Sequence, residues 1–294
     1  MQHQSLYRGA LFIVAAELMF ASMGASIRFV SDDLNNPMVV FARNLLGMLF
    51  LLPWLMRGGV GSFKTRVPHL HLLRGVAGVS AMYCFFYAIA NMPLADAMLL
   101  KLSAPLFMPI VALLWLQERF TWHVVAALVI GFSGVAVIVG PEMTDTNPVY
   151  LVALAGGAFA AIAKVTVRRL SRSESGTLIV FYFACSGIAI SLLPLIWFWQ
   201  TPTLQQAGWL LLLALFATAG QLLLTRGMAC APAARLGPFT FFSVIFGAAL
   251  GWFLWNEAIT LATSAGALLI LLSAFLSGRG RKNANEPQPA SANA

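Results

Sequence analysis

The sequence contains few charged residues. Asp, Glu, Lys and Arg make up 10% of its 294 residues, whereas apolar residues make up 60%. Soluble domains average about 25% charged and about 45–50% apolar residues. A chain of this size cannot bury so much apolar surface in water, so lipid must surround much of it. The composition therefore excludes a soluble protein and indicates several membrane-spanning helices.

Cysteine is also scarce, and its three positions exclude some kinds of site. Cys84, Cys185 and Cys230 lie inside apolar runs and form no Cys-x-x-Cys pair. We interpret them as small buried hydrophobic residues and predict no disulfide framework, no metal site and no cofactor. The sequence also lacks a phosphate-binding loop, paired carboxylates and a His-Glu-x-x-His motif.

One short segment resembles an enzyme motif. Residues Gly131-Phe-Ser-Gly are similar to the nucleophile motif of rhomboid intramembrane proteases, in which the serine works with a histidine from a later helix. All four histidines of this chain precede Ser133. Because the nucleophile needs that base, we interpret the segment as close helix packing through small residues and predict no enzyme.

Ten apolar runs are long enough to cross a membrane, since a helix needs about 20 residues to span the hydrocarbon. They lie at 9–30, 38–56, 72–91, 94–116, 122–140, 148–168, 176–199, 207–228, 232–255 and 261–277. Their connections are short, and the polar residues 278–294 are predicted to form a disordered tail. The predicted fold class is an all-α membrane protein with ten transmembrane helices.

The loop charges predict the orientation of the chain. The cations on the side shared by both termini are Arg8, Arg57, Lys64, Arg66, Arg74, Arg119, Arg168, Arg169, Arg172, Arg226, Arg279, Arg281 and Lys282. The opposite loops carry only carboxylates: Asp32, Asp33, Glu142, Asp145 and Glu257. The positive-inside rule therefore predicts cytoplasmic termini in a bacterial-type inner membrane. The net charge of +8 follows from this topology, so we predict lipid contacts and no nucleic-acid partner.

An internal repeat divides the chain into halves. The stretch Pro93–Glu118 returns without a gap as Pro232–Glu257, each copy running from a turn through an apolar helix to an amide-Glu pair. Because five predicted helices separate the copies, they face opposite ways across the membrane. Inverted five-helix repeats are typical of transporters, whose substrate site lies near the midplane. We predict repeats over 9–140 and 148–277 around a central cavity.

The same segments resemble the EamA-type carriers of the drug/metabolite transporter superfamily. The resemblance rests on Pro93–Glu118, on its repeat ending at Glu257, and on Phe41-Ala-Arg-Asn early in the second helix. It implies two inverted five-helix bundles and secondary transport, usually export, of small polar metabolites. Lys101 has no counterpart in the second copy, where Thr240 stands, so a symmetric site is not expected.

Lys101 and Arg43 are the candidate residues for binding an anion. Lys101 lies about a turn and a half into the fourth helix, near Pro105 and Pro109, which break backbone hydrogen bonding. The Arg43 guanidinium suits bidentate capture of a carboxylate. The alternatives are snorkelling of Lys101 toward the headgroups and a packing or gating role for Arg43.

Glu17 is the only carboxylate well inside a predicted helix. The first helix also resembles that of small multidrug resistance members of the same superfamily, in which this Glu carries protons and cationic drugs. We predict a proton-coupling role for Glu17, with a structural ion pair to Arg43 or Lys164 as the alternative. Lys164 itself is interpreted as snorkelling toward the cytoplasmic face, near Arg168.

Four further polar residues are candidate substrate contacts: Tyr83, Tyr87, Gln221 and Thr240. The alternative is ordinary packing for the two tyrosines, and hydrogen bonding between neighbouring helices for Gln221 and Thr240.

The balance of embedded charge predicts the substrate. Arg28, Arg43, Lys101 and Lys164 stand against Glu17 alone. This favours an anionic or zwitterionic small molecule, such as an amino acid or a carboxylate-rich, metallophore-like derivative. The alternatives are a proton-coupled exporter of cationic drugs through Glu17 and a membrane scaffold that transports nothing. The chain is expected to act as a monomer or a homodimer.

Overall fold

The computed structural model describes residues 6–57, 65–116, 122–139, 148–170, 173–174, 176–230 and 237–284. Within these ranges the chain forms eleven α-helices and one 3₁₀ helix, and no strand. In chain order the first helices are α1 (Leu6–Ser31), α2 (Asn36–Arg57), α3 (Pro68–Asn91), α4 (Leu94–Lys101), α5 (Ala104–Leu116) and α6 (Trp122–Val139). They are followed by α7 (Pro148–Leu170), α8 (Gly176–Phe198), α9 (Leu204–Cys230), the 3₁₀ helix (Gly237–Phe241), α10 (Phe242–Trp255) and α11 (Leu261–Ala284).

The helices follow the predicted apolar runs. Most of them cover one run each, whereas α4 and α5 share the fourth run, and the 3₁₀ helix and α10 share the ninth. Segments of α1, α3, α7, α8 and α9 are each long and apolar enough to cross a membrane. The chain is therefore a multi-pass, all-α membrane protein, as its composition predicts.

The end of α11 corrects one prediction. Residues 278–284, which we assigned to a disordered tail, continue the helix to Ala284, and 285–294 lie outside the described residues. Arg279, Arg281 and Lys282 therefore lie within the final turns of this helix.

The fourth apolar run is broken beside its lysine. α4 ends at Lys101 and α5 begins at Ala104, so two residues of turn separate them. Pro105 has no backbone N–H, which fits the first turn of a new helix and not the interior of a continuous one. Gly157 of α7 packs against this turn, because a Cβ there would overlap the Ser103 hydroxyl. The break places Lys101 at a helix end inside the protein.

Contacts between helices pair up across the two halves of the chain. The most extensive include those of α1 with α9 and of α3 with α7, each joining a half's first helix to the third helix of the other. The contacts of α2 with α9 and of α3 with α8 correspond in the same way. Three further contacts, α2 with α8, α4 with α10 and α6 with α11, join equivalent helices. This pattern of contacts is unchanged when the first five predicted spans are exchanged with the last five.

Hydrogen bonds between connecting segments show which helix ends lie together on each of two faces. The Asn35 amide donates to Gln200 Oε1 at 2.6 Å, and the Leu94 amide donates to Glu257 Oε2 at 2.9 Å. These segments form the predicted outer face. At the opposite ends, the Thr65 hydroxyl donates to a carboxylate in the α7–α8 connection at 2.8 Å. We call these ends the predicted cytoplasmic face.

Candidate functional site

Glu17 lies near the middle of α1, with 6% of its surface exposed. Its electrostatic neighbours are Lys101 and Lys164, from α4 and α7. Among the described residues, no hydrogen bond or ion pair engages its carboxylate. Of the two predicted structural pairs, the one with Arg43 is not formed. Lys164 acts on Glu17 only through its electrostatic field.

Lys101 is held inside the protein by aromatic rings. Its Nζ lies 4.6 Å from the centre of the Phe20 ring and 5.4 Å from that of Phe85. A ring face attracts a cation at such distances, most strongly where water is excluded. Phe20 in turn packs against Gly220 of α9, where a Cβ would lie 2.8 Å from the ring. The ammonium therefore stays among α1, α3 and α4, contrary to the snorkelling alternative.

Lys164 faces the same interior region. Its ammonium is within electrostatic range of Lys101, Glu17 and Arg74. Our interpretation that Lys164 snorkels toward the cytoplasmic face stays a prediction. α7 packs against α3, α4 and α5. The Lys164 side chain itself is exposed.

Arg74 is a site residue that the sequence analysis missed. We counted it with the cytoplasmic loop cations, but it lies in the second turn of α3, with its guanidinium 3.9 Å from the centre of the Phe183 ring. Its charge interacts with that of Arg43, which donates a hydrogen bond to Asn44 Oδ1 at 3.1 Å. The signal was available, since the predicted span 72–91 already contains Arg74.

Five charged side chains from five helices thus share the interior. This interior charge cluster consists of Glu17, Arg43, Arg74, Lys101 and Lys164. With every group ionised, four positive charges and one negative charge leave a net charge of +3. In the part of the chain that the structure describes, none of the four cations forms an ion pair. Unpaired charge at membrane depth is costly, so the cluster is the candidate functional site.

The other predicted contacts are spread over three segments. Tyr83 places its hydroxyl in a buried position without a hydrogen-bond partner among the described residues. Tyr87, one turn further along α3, is 37% exposed. Gln221 is exposed on α9, and Thr240 lies half-buried in the 3₁₀ helix. Their roles toward a substrate stay predictions.

A second charged group lies at the predicted outer face. Arg28 forms an ion pair with Glu257 and donates a hydrogen bond to the Met92 carbonyl at 3.0 Å. Glu257 also accepts from the Leu94 amide at 2.9 Å, and the Trp255 ring lies 5.0 Å from the guanidinium. We call this group the outer latch. It neutralises Arg28, which we had counted with the embedded cations.

The outer latch joins α1 to the α3–α4 and α10–α11 connections, so breaking it should open this face. We expect Glu257→Ala to increase labelling of a cysteine introduced at Ser22 by an impermeant thiol reagent. The rate should rise by about tenfold, which corresponds to about 1.4 kcal/mol for a half-buried ion pair. The measurement uses a variant whose three natural cysteines are replaced by serine.

Two variants make this measurement specific. Glu174→Ala, at the predicted cytoplasmic face, should leave the labelling of the introduced cysteine unchanged. The exchange of charges in Arg28→Glu with Glu257→Arg should return the rate most of the way to its original value. An unchanged rate in Glu257→Ala would show that the outer latch does not hold this face closed.

The segment at Gly131 serves helix packing, as predicted. Gly134 faces α11 so closely that a Cβ would lie 2.9 Å from the Gly266 carbonyl oxygen. The Ser133 hydroxyl donates within its own helix to the Val129 carbonyl at 2.9 Å. Small residues thus let α6 and α11 approach each other.

The cysteines differ from the prediction at one position. Cys185 is exposed on α8, whereas Cys84 and Cys230 are half-buried, and all three are free thiols. The outer side of α8 faces lipid, which accommodates a cysteine as readily as a protein core does. Within the described residues, no three His, Cys, Asp or Glu side chains are grouped as metal ligands would be.

The fold and the interior charge cluster are those of a multi-pass membrane transporter. The model of the EamA-like transporter family matches residues 7–140 and again 147–279. The chain therefore belongs to the EamA-like transporter family, which confirms the resemblance described above.

Known relatives are transporters of metabolites. The pseudopaline exporter CntI of Pseudomonas aeruginosa is 34% identical over 280 residues, which cover 94% of this chain and 98% of that protein. An S-adenosylmethionine uptake transporter of Rickettsia bellii is 25% identical over 244 residues, covering 83% of this chain and 84% of that protein. One solved structure, at 20% identity, covers 95% of this chain and 99% of its own with a TM-score of 0.61, so it shares the fold. These names favour transport over catalysis.

Proposed function

We propose that this chain is a secondary active exporter of a small, amino-acid-derived metabolite that carries carboxylates. The interior charge cluster is the observation that carries this proposal, because its four cations stand against a single carboxylate. A carboxylate-rich compound of the metallophore type fits this charge. Export rather than uptake follows the more similar of the two named relatives.

The cluster suggests a division of roles. Lys101 and Arg43 hold the anionic groups of the substrate, since a cation at membrane depth is stabilised by a bound carboxylate. Tyr83 and Tyr87 line the path, and Tyr83 has a buried hydroxyl able to donate to a ligand. Glu17 carries a proton in exchange for the substrate, because it is a buried carboxylate without an ion-pair partner among the described residues. Gln221 and Thr240 provide further hydrogen bonds from the second half.

The proposed architecture is two inverted five-helix repeats, 9–140 and 148–277, around a central cavity with both termini in the cytoplasm. The two successive matches to the family model and the paired helix contacts support the repeats. The loop cations support the orientation. The break between α4 and α5 and the 3₁₀ helix before α10 occupy equivalent places, where they allow one bundle to rock against the other.

Two alternatives fit the observations less well. Export of cationic drugs through Glu17 requires a cation to enter a cluster with four positive side chains, which repel it. A scaffold that transports nothing has no need of unpaired interior charge, which is costly at membrane depth.

A thermal-shift screen of the purified protein tests the proposal. The ligands are amino acids, polycarboxylates, nucleotides and lipophilic cations. A ligand present at 100 times its dissociation constant stabilises the folded state by about 2.7 kcal/mol. We expect stabilisation by carboxylate-bearing compounds, and its loss in Lys101→Ala. Stabilisation by lipophilic cations alone, lost in Glu17→Gln, would overturn the proposal in favour of cation export.

A further inference from the structure

The arginine side of the interior charge cluster is arranged differently from the lysine side. Arg43 and Arg74 lie on α2 and α3, whereas Lys101 is held between two phenylalanine rings at the end of α4. The electrostatic neighbours of Arg74 are Arg43 and Lys164, both of them cations. Glu17, the cluster's single carboxylate, is a neighbour of the two lysines. Glu17 therefore partly offsets the positive charge of the two lysines, whereas no carboxylate among the described residues offsets that of the two arginines.

The guanidinium of Arg74 is fixed in place by its surroundings. The Phe183 ring lies 3.9 Å from its centre, and Gly78 leaves space for it, because a Cβ there would overlap Arg74 Nη1. Its Nε is buried and has no hydrogen-bond partner among the described residues. A side chain held in this way does not reach toward the headgroups.

Arg43, on the neighbouring helix α2, is also fixed in place by its surroundings. One of its Nη atoms donates to Asn44 Oδ1 at 3.1 Å, and the Asn44 amide in turn donates to the Gly187 carbonyl at 3.3 Å. These bonds tie Arg43 to α8, the helix that also carries Phe183. Two guanidinium groups are thus positioned against the same helix, in electrostatic range of each other and without a counter-ion among the described residues.

We infer that Arg43 and Arg74 form a second anion subsite that binds a second carboxylate of the transported metabolite. This inference rests on the proposed function and narrows its substrate class to molecules with at least two separated carboxylates. A carboxylate between two guanidinium groups accepts charge-assisted, bidentate hydrogen bonds and removes their mutual repulsion. The first carboxylate of the substrate binds at Lys101. Lys164 is an electrostatic neighbour of both Lys101 and Arg74.

The test compares ligands that differ by one charge. Purified wild-type protein is titrated with straight-chain dicarboxylates from succinate to suberate and with their half-methyl esters, and binding is followed by calorimetry. We expect one chain length to bind at least about tenfold more tightly than its half ester, since one charge-assisted contact is lost. Arg74→Gln should weaken the dicarboxylate to about the affinity of its half ester and so remove that difference. Lys101→Gln should weaken both ligands.

Two variants guard against simple misfolding. Arg74→Lys keeps the charge but not the planar guanidinium, so it should retain only part of the preference for the dicarboxylate. Gly78→Ala displaces the Arg74 guanidinium without removing it, and should reduce the preference as well. The control is Arg66→Gln, whose exposed side chain lies in the α2–α3 connection and should have no effect.

The outcomes separate this inference from the proposed function. If neither dicarboxylates nor half esters bind to the wild-type protein, the proposed function fails and the inference fails with it. If both bind equally well, or if Arg74→Gln weakens both equally, the second subsite is wrong while the proposed function stands. Only a dicarboxylate preference that Arg74→Gln and Gly78→Ala both reduce supports the second subsite.

Discussion

Lys101→Gln should abolish transport of the carboxylate-bearing metabolite, with a decrease in initial rate of at least about a hundredfold, or about 2.7 kcal/mol. The reason is that the substitution removes the one ammonium that the Phe20 and Phe85 rings hold at the end of α4. A substrate carboxylate would then enter the protein without its principal counter-ion. Initial uptake of the labelled ligand found in the thermal-shift screen, into inside-out vesicles, measures the effect.

Lys101→Arg and Lys282→Gln are the matched variants for this experiment. Arginine keeps the positive charge and also interacts with ring faces, so we expect a loss of no more than about tenfold. Lys282 stands near the end of α11, outside the interior charge cluster, so its replacement should leave the rate unchanged. Normal transport by Lys101→Gln at normal abundance in the membrane would show that Lys101 does not bind the substrate.

The sequence predicts the helices well because the membrane restricts the possibilities. An apolar run of about 20 residues can satisfy its backbone in lipid only as a helix, so run length and composition suffice. The sequence also indicates a helix break near Lys101, because Pro105 and Pro109 interrupt backbone hydrogen bonding there. The helix beyond Ser277 was missed because polarity alone was taken to indicate disorder.

The grouping of charges was harder to predict than their presence. Glu17 and Lys101 were identified because a charge within an apolar run is costly and therefore conspicuous. The surroundings of Lys164 depend on how α7 packs against α3, α4 and α5, a property that its own sequence does not encode. Arg74 was missed because it was counted with the loop cations, although α3 carries it into the protein.

The ion pair of the outer latch could not be predicted from the sequence either, because its two residues are far apart along the chain. Arg28 and Glu257 come from opposite ends of the chain, and each had a plausible separate role, one as an embedded cation and one as an outer-loop carboxylate. Only the packing of α1 against α10 brings them together. Their pairing leaves four interior cations: Arg43, Arg74, Lys101 and Lys164. The predicted excess of positive charge is therefore retained, with Arg74 in place of Arg28.

Glu17→Gln should separate substrate exchange from proton-driven accumulation. Glutamine has nearly the shape of glutamate but cannot bind and release a proton, so a pH gradient can no longer drive transport. We expect accumulation driven by the gradient to fall to the background level in proteoliposomes. Exchange of internal for external substrate should continue, because Lys101 and the other cations of the cluster remain.

The control for Glu17→Gln is Glu174→Gln, which removes a carboxylate at the predicted cytoplasmic face and should leave both activities intact. Substrate binding to Glu17→Gln should be as tight as to the wild-type protein or tighter, because the net charge of the interior charge cluster rises from +3 to +4 when its single carboxylate is neutralised. Accumulation that still follows the pH gradient in Glu17→Gln would rule out Glu17 as the proton carrier. Loss of both exchange and accumulation would instead assign Glu17 to substrate binding. The cluster would then bind a zwitterion, with its cations contacting the negative group and Glu17 contacting the positive group.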